Sequence, residues 1–178
     1  TSGGGVLLEL DPNTLQVLNR YGDSITQSLA FDARLGQFYV SSGSGIERFD
    51  PVKRTFAHFS DIRVDDLAVA PDGTLWASRW PQRGDLLTFD KRGRAQVQVH
   101  IDADLDSIVF GKPGTRFENL LFATSRHRVG DDGAGLYMVD LVTLRKVELA
   151  RDGPGAEQLI ATTDGRLLVA NANQVDVI

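Results

Sequence analysis

Residues 64–78 read VDDLAVAPDGTLWAS. Leu67 to Ala70 is an apolar run of strand length. Pro71 to Thr74 is a turn, in which Pro presets φ and Gly73 takes the positive φ that closes a short hairpin. Leu75 to Ser78 is the return strand. The pattern recurs as SLAF at 28–31 with QFYVS at 37–41, as SIVF at 107–110 with LLFAT at 120–124, and as QLIA at 158–161 with RLLVA at 166–170. The third copy carries a longer link, Gly111 to Asn119.

Between these hairpins lie further strand pairs. GVLLEL at 5–10 turns into LQVLNRY at 15–21, and IERF at 46–49 turns towards 55–59. LLTF at 86–89 leads to 95–101, and GLYMV at 135–139 leads to 144–149. Each first member ends in an aspartate: Asp11, Asp50, Asp90 and Asp140, spaced 39, 40 and 50 residues apart. The loops at 111–119 and 126–135 account for the wider gap. No segment sustains apolar residues at i, i+3, i+4 and i+7, so no helix of note is expected. Four strands repeating every 40 or so residues are the signature of a β-propeller blade. The alternative is an open all-β sandwich.

The fold class predicted is therefore all-β, a β-propeller of four-stranded blades with about four blade units, forming a single domain over 1–178. The units are 5–21 (partial), 25–61, 64–102, 105–150 and 156–178 (partial). The first supplies only third and fourth strands, and the last supplies first, second and third. The expectation is a piece of a larger propeller. Pairing of two chains through open blade edges into a bigger ring is the other solution, since exposed edges otherwise invite aggregation.

The 178 residues are enough for a domain with a real core. A net charge of −5 without a long run of one sign argues against nucleic acid or an anionic membrane surface as partner. No apolar stretch approaches transmembrane length, so membrane insertion is not expected. The absence of cysteine removes disulfides, thiol catalysis and Cys-based zinc sites.

The stretch at 64–78 resembles the blade opening P-D-G-L-A-V-D-x-x-G-x-L-W-V-A of six-bladed propellers. That superfamily includes the senescence-marker-protein/gluconolactonase family, virginiamycin B lyase and NHL-repeat proteins. LDSIVF at 105–110 resembles their P-N-G-I-A-F. Asp65 falls where the motif has Asp, and Asp106 where it has Asn. Asp66 and Ser107 stand where it has Gly. The resemblance implies the fold. For gluconolactonase-type members it also implies one divalent metal held at the channel mouth by Glu, Asn and Asp side chains.

Aligning the four inner strands puts Gln27, Asp65, Asp106 and Glu157 at one equivalent position. Three carboxylates and an amide converging near an axis repel one another, and a hard cation such as Ca²⁺ or Mg²⁺ relieves that with oxygen ligands. The alternative is that they cap backbone amides at strand entry and meet only water. The loops from second to third strands share that face and carry Arg79 and Trp80, then Arg126, His127 and Arg128, then Asn171 and Asn173. Arg beside an exposed Trp suits a carboxylate or a sugar. No Ser-His-Asp order stands out, and Gly130 to Gly133 is too short and ligand-poor for an EF-hand loop.

The function expected is a non-catalytic binding or scaffold module of a larger, bacterial-type protein, with a secreted, periplasmic or cell-surface setting favoured. Its partner is a protein or a small polar or carbohydrate ligand on the loop face. The alternative is a divalent-metal-dependent lactonase or lyase.

Overall fold

The structure is a computed structural model and describes residues 7–22, 26–81, 84–125, 134–153, 156–171 and 173–178. Among these, every regular element is a strand. β1 (Leu7–Leu10) and β2 (Val17–Tyr21) form a two-stranded sheet. The first complete blade is β3 (Thr26–Asp32), β4 (Gln37–Ser42), β5 (Gly45–Asp50) and β6 (Thr55–Ser60). The second is β7 (Val64–Val69), β8 (Leu75–Arg79), β9 (Asp85–Phe89) and β10 (Ala95–His100). The third is β11 (Leu105–Phe110), β12 (Leu120–Ser125), β13 (Ala134–Asp140) and β14 (Lys146–Gly153). A three-stranded sheet follows, β15 (Ala156–Ala161), β16 (Leu167–Asn171) and β17 (Val175–Val177). Each sheet is an antiparallel meander in chain order. This is the all-β propeller architecture that the repeat predicts.

The turns that close the third strands share one chemistry. The Oδ1 of Asp11 accepts the N–H groups of Asn13 and Thr14 at 2.9 and 2.8 Å. Asp50 does the same for Val52 and Lys53, both at 3.0 Å, and Asp140 for Val142 and Thr143 at 2.8 and 2.9 Å. Asp90 holds Arg92 and Arg94 at 2.8 and 3.0 Å. In three of the four turns the fifth residue takes the left-handed conformation: Leu15 at φ 59°, Arg54 at 57° and Leu144 at 57°. The hydrogen bonds to backbone hold all four carboxyls below the usual aspartate range.

The core lies between sheets, with β3, β7, β11 and β15 packed in that order as inner strands. Residues of an inner strand alternate between the following and the preceding blade. Ala30 and Tyr39 pack with Leu67, Leu75 and Leu87 between the first and second blades. Trp76 and Leu86 pack with Ile108, Phe110 and Leu121 between the second and third. Phe122 and Leu136 pack with Leu159, Ala161, Leu167 and Val169 between the third and the last.

The apolar inner strand, expected to be buried throughout, departs from that reading in β3. Leu29 and Phe31 are 41% and 51% exposed. Their face of the sheet looks away from the second blade. Among the described residues, cover comes on the outer half, where Tyr21 of β2 packs on Phe49 at 4.8 Å and Gly22 approaches the ring of Phe56.

Candidate functional site

Each of the first three inner strands reaches the next through one side-chain oxygen. Ser28 Oγ accepts the N–H of Leu67 at 3.0 Å. Asp66 Oδ2 accepts the N–H of Ile108 at 2.8 Å. Ser107 Oγ accepts the N–H of Leu159 at 3.3 Å. The bridging residues are steadied from their own second strands, where Ser41, Ser78 and Thr124 accept the N–H groups of Ser28, Asp66 and Ser107 at 2.7, 3.0 and 3.3 Å.

Asp66 sits at the centre of this line. Its other partners are Ser28 Oγ, which donates at 2.5 Å, Ser107 Oγ at 3.1 Å and its neighbour's N–H, Leu67, at 2.9 Å. Burial pushes its carboxyl above the usual range, while the Ser28 hydroxyl and the Ile108 and Leu67 amides pull the other way. The residues that replace the motif's glycine are thus the ones that stitch the blades together.

The four aligned candidates sit one residue earlier. Each inner strand shifts register at this point, between Thr26 and Leu29, Val64 and Asp66, Leu105 and Ile108, and Ala156 and Gln158. Gln27 and Glu157 are exposed there, and Asp65 and Asp106 are half-buried. Among the described residues, no group of three or more His, Asp or Glu side chains comes together to hold a metal ion.

The rim formed by the loops that follow second and fourth strands is built differently. Trp80, just after β8, donates its backbone N–H to the carbonyl of Arg63 at 3.2 Å. That bond ties the end of the second strand to the loop entering β7. The Arg63 guanidinium then lies over the Trp80 ring, 3.9 Å from its centroid. Trp80 remains 37% exposed, and Arg63 has no carboxylate partner among the described residues. Arg79 lies within 3.7 Å of Asp85, and so has part of its charge answered.

Two histidines lie on fourth strands towards this end, at different register positions. His58 Nδ1 meets Glu47 and its Nε2 meets Asp61, both at 3.1 Å. His100 Nδ1 meets Asp85 at 2.8 Å and its Nε2 meets Asp102 at 3.1 Å. The hydrogen bond donated to Glu47 raises the His58 pKa, and that donated to Asp85 raises the His100 pKa, because each favours the imidazolium. Lys146 extends the second clamp to the third blade, donating to the His100 carbonyl at 2.7 Å.

Of the sequence-selected rim residues, Arg79 and Trp80 are adjacent at this site. Asn171 is engaged elsewhere, its amide donating to Asp176 at 2.6 Å, and Asn173 is exposed. Arg126, His127, Arg128 and the 130–133 turn lie outside the described residues. Sequence reasoning missed Arg63 and both clamps. The sequence places Arg63 in a loop on the same face as Trp80 but carries nothing that pairs the two, and His58 and His100 do not fall at equivalent blade positions.

The opposite, hairpin face has a cleft of about 490 Å³ between the 111–119 loop and the 162–166 turn. Its arginines are already engaged. Arg116 Nε donates to the Gly165 carbonyl at 3.0 Å, and Arg166 pairs with Asp164 at 3.2 Å.

No family model and no curated protein matches this chain. Solved structures do. A hydrazine synthase chain from Kuenenia stuttgartiensis superposes with a TM-score of 0.72 at 14% identity, covering 93% of this chain and 49% of that one. The extracellular domain of a putative one-component system from B. thetaiotaomicron gives 0.69 at 10%, covering 98% and 24%. Virginiamycin B lyase from Staphylococcus aureus gives 0.67 at 12%, covering 98% and 63%. The chain thus spans between a quarter and two thirds of these structures. At such identities the likeness shows the shared β-propeller fold.

Proposed function

We propose that this chain is a non-catalytic propeller module that binds a carboxylate-bearing saccharide at the rim where Arg63 lies on Trp80. The observation that carries the reading is that stack at 3.9 Å, with the indole still 37% exposed. A guanidinium held by an aromatic face is preorganised to take a carboxylate in two parallel hydrogen bonds, and an exposed indole packs against a sugar ring. The non-catalytic part is supported by the histidines: both ring nitrogens of His58 and of His100 are held by carboxylates, so neither offers a free base. An extracellular setting is supported by the B. thetaiotaomicron propeller, which is an extracellular domain.

The test is a fluorescence titration with oligogalacturonate, using neutral galactan as control. Trp76 is 7% exposed, so Trp80 is the indole that reports solvent-side binding. Saturable change with the acidic sugar alone supports the reading. No change with either, or an equal change with both, overturns it.

A further inference from the structure

We infer that the hairpin-face cleft between the 111–119 loop and the 162–166 turn is a binding site for a phosphate group, held between Arg116 and Arg166. The links that join first to second strands are four residues long in the first blade, five in the second and five in the last, but nine in the third. The long link forms one wall of the cleft and carries Arg116 across to the last sheet, where its Nε donates to the Gly165 carbonyl at 3.0 Å. A tie of that kind does not require the extra residues, because Arg34 reaches the Asp72 carbonyl from the shortest of the four links. The hairpins that carry the two walls pack on each other through Phe122, Leu159 and Leu167.

The two ties differ in what they leave open. The 70–74 and 162–166 turns share one backbone hydrogen-bonding pattern, and Gly73 and Gly165 share a φ of +80°. The Arg34 guanidinium donates through a terminal nitrogen, lies on Gly73 and fills the space that a Cβ would take there. At Gly165 nothing comes closer to an added Cβ than the Thr115 Cβ at 3.5 Å, and the cleft of about 490 Å³ opens beside it. Arg116 is engaged through Nε alone. Its guanidinium rests 4.6 Å from the centroid of Phe117, whose ring packs on Phe122 at 5.0 Å. Those contacts fix the group, while its terminal nitrogens donate to no other described residue. Arg166, on the other wall, meets Asp164 through Nε at 3.2 Å. Asp164 is the acid in the lining, and the Thr162 hydroxyl and Arg166 answer its two oxygens. The lining thus sets two guanidiniums against one carboxylate. A carboxylate satisfies the edge of one arginine, whereas a phosphate dianion has oxygens enough for both. The cleft is larger than the ion and admits a small group that carries it. This inference is independent of the rim's ligand.

The test is a titration followed in proton–nitrogen correlation spectra, with inorganic phosphate, glycerol phosphate and, as a dianion without phosphorus, succinate. The expected result is a saturable shift of the Arg116, Thr163 and Gly165 amides with both phosphates, and binding at least tenfold weaker with succinate. Equal binding of the two phosphates identifies the free ion as the occupant, and tighter binding of glycerol phosphate identifies the ester; either supports the site. Arg116→Gln and Arg166→Gln should each weaken binding about tenfold. Should Arg116→Gln loosen the tie to Gly165, Arg166→Gln tests the site by itself, since that side chain is 63% exposed and meets only Asp164. No saturable shift at these amides with either phosphate overturns the proposal. So does succinate binding as tightly, or an Arg166→Gln chain with unchanged affinity.

Discussion

Asp66 Oδ2 accepts the backbone N–H of Ile108 at 2.8 Å, so a carboxylate of the second blade holds the inner strand of the third. The same group takes the Ser28 hydroxyl of the first blade at 2.5 Å. One side chain therefore spans three blades.

Replacing Asp66 by Ala leaves the Ile108 N–H without its acceptor in a dry site, and costs about 2 kcal/mol of stability. Asp66→Ser costs less, because Ser28 and Ser107 perform the same reach at equivalent positions. Urea unfolding midpoints of the two variants check the order.

Stability varies with pH through three groups of opposite sign. The turn aspartates have lowered pKa values, so their contribution is present above the ordinary value of 3.8 and is lost as pH falls through their folded values. His58 and His100 have raised values, so theirs is full below 6.5 and is lost as pH rises through their folded values. Asp66, also raised, favours the folded state when protonated and stops doing so as pH rises from 3.8 through its folded value. The melting temperature should decline on the acid side below 3.8 and on the alkaline side above 6.5. His58→Gln with His100→Gln should flatten the alkaline limb alone in a series of thermal melts.

Two glycines with similar positive φ should respond differently to alanine. Gly36, at φ +63°, has nothing within 4 Å of an added Cβ, so Gly36→Ala meets only the left-handed penalty of about 1 kcal/mol. At Gly93, φ +75°, the Cβ would sit 1.7 Å from the Phe59 carbonyl, and the first blade must move away from the second. Gly93→Ala should lower the melting temperature several times as far.

With no group of three acidic side chains among the described residues and Asp66 engaged by protein donors, EDTA and added Ca²⁺ should leave the melting temperature unchanged. A rise with Ca²⁺ would mean that the positions at Gln27, Asp65, Asp106 and Glu157 gather around a cation, by binding linkage.

The blades were legible because each level of the sequence repeats the same statement: Asp at the close of third strands, Gly73 and its counterparts in hairpins, and apolar pairs such as Leu67 and Ala77 across them. What was hidden followed from register. A one-residue shift in each inner strand makes Asp66, not Asp65, the residue that reaches the next blade, and period-two reasoning passes over a bulge. Arg79 and Trp80 could be found as an Arg beside a Trp in a loop. Arg63 could not be matched to Trp80 that way, because the bond joining them runs between backbones of two different loops.

The most direct test of the binding account is the calorimetric dissociation constant for oligogalacturonate, measured on the unmodified chain and on Arg63→Ala. Arg63 is exposed and contributes to no core cluster, so the variant stays folded. Loss of the two charge-assisted hydrogen bonds should weaken binding about tenfold or more. An unmodified chain that does not bind, or an Arg63→Ala chain that binds as tightly, would contradict it.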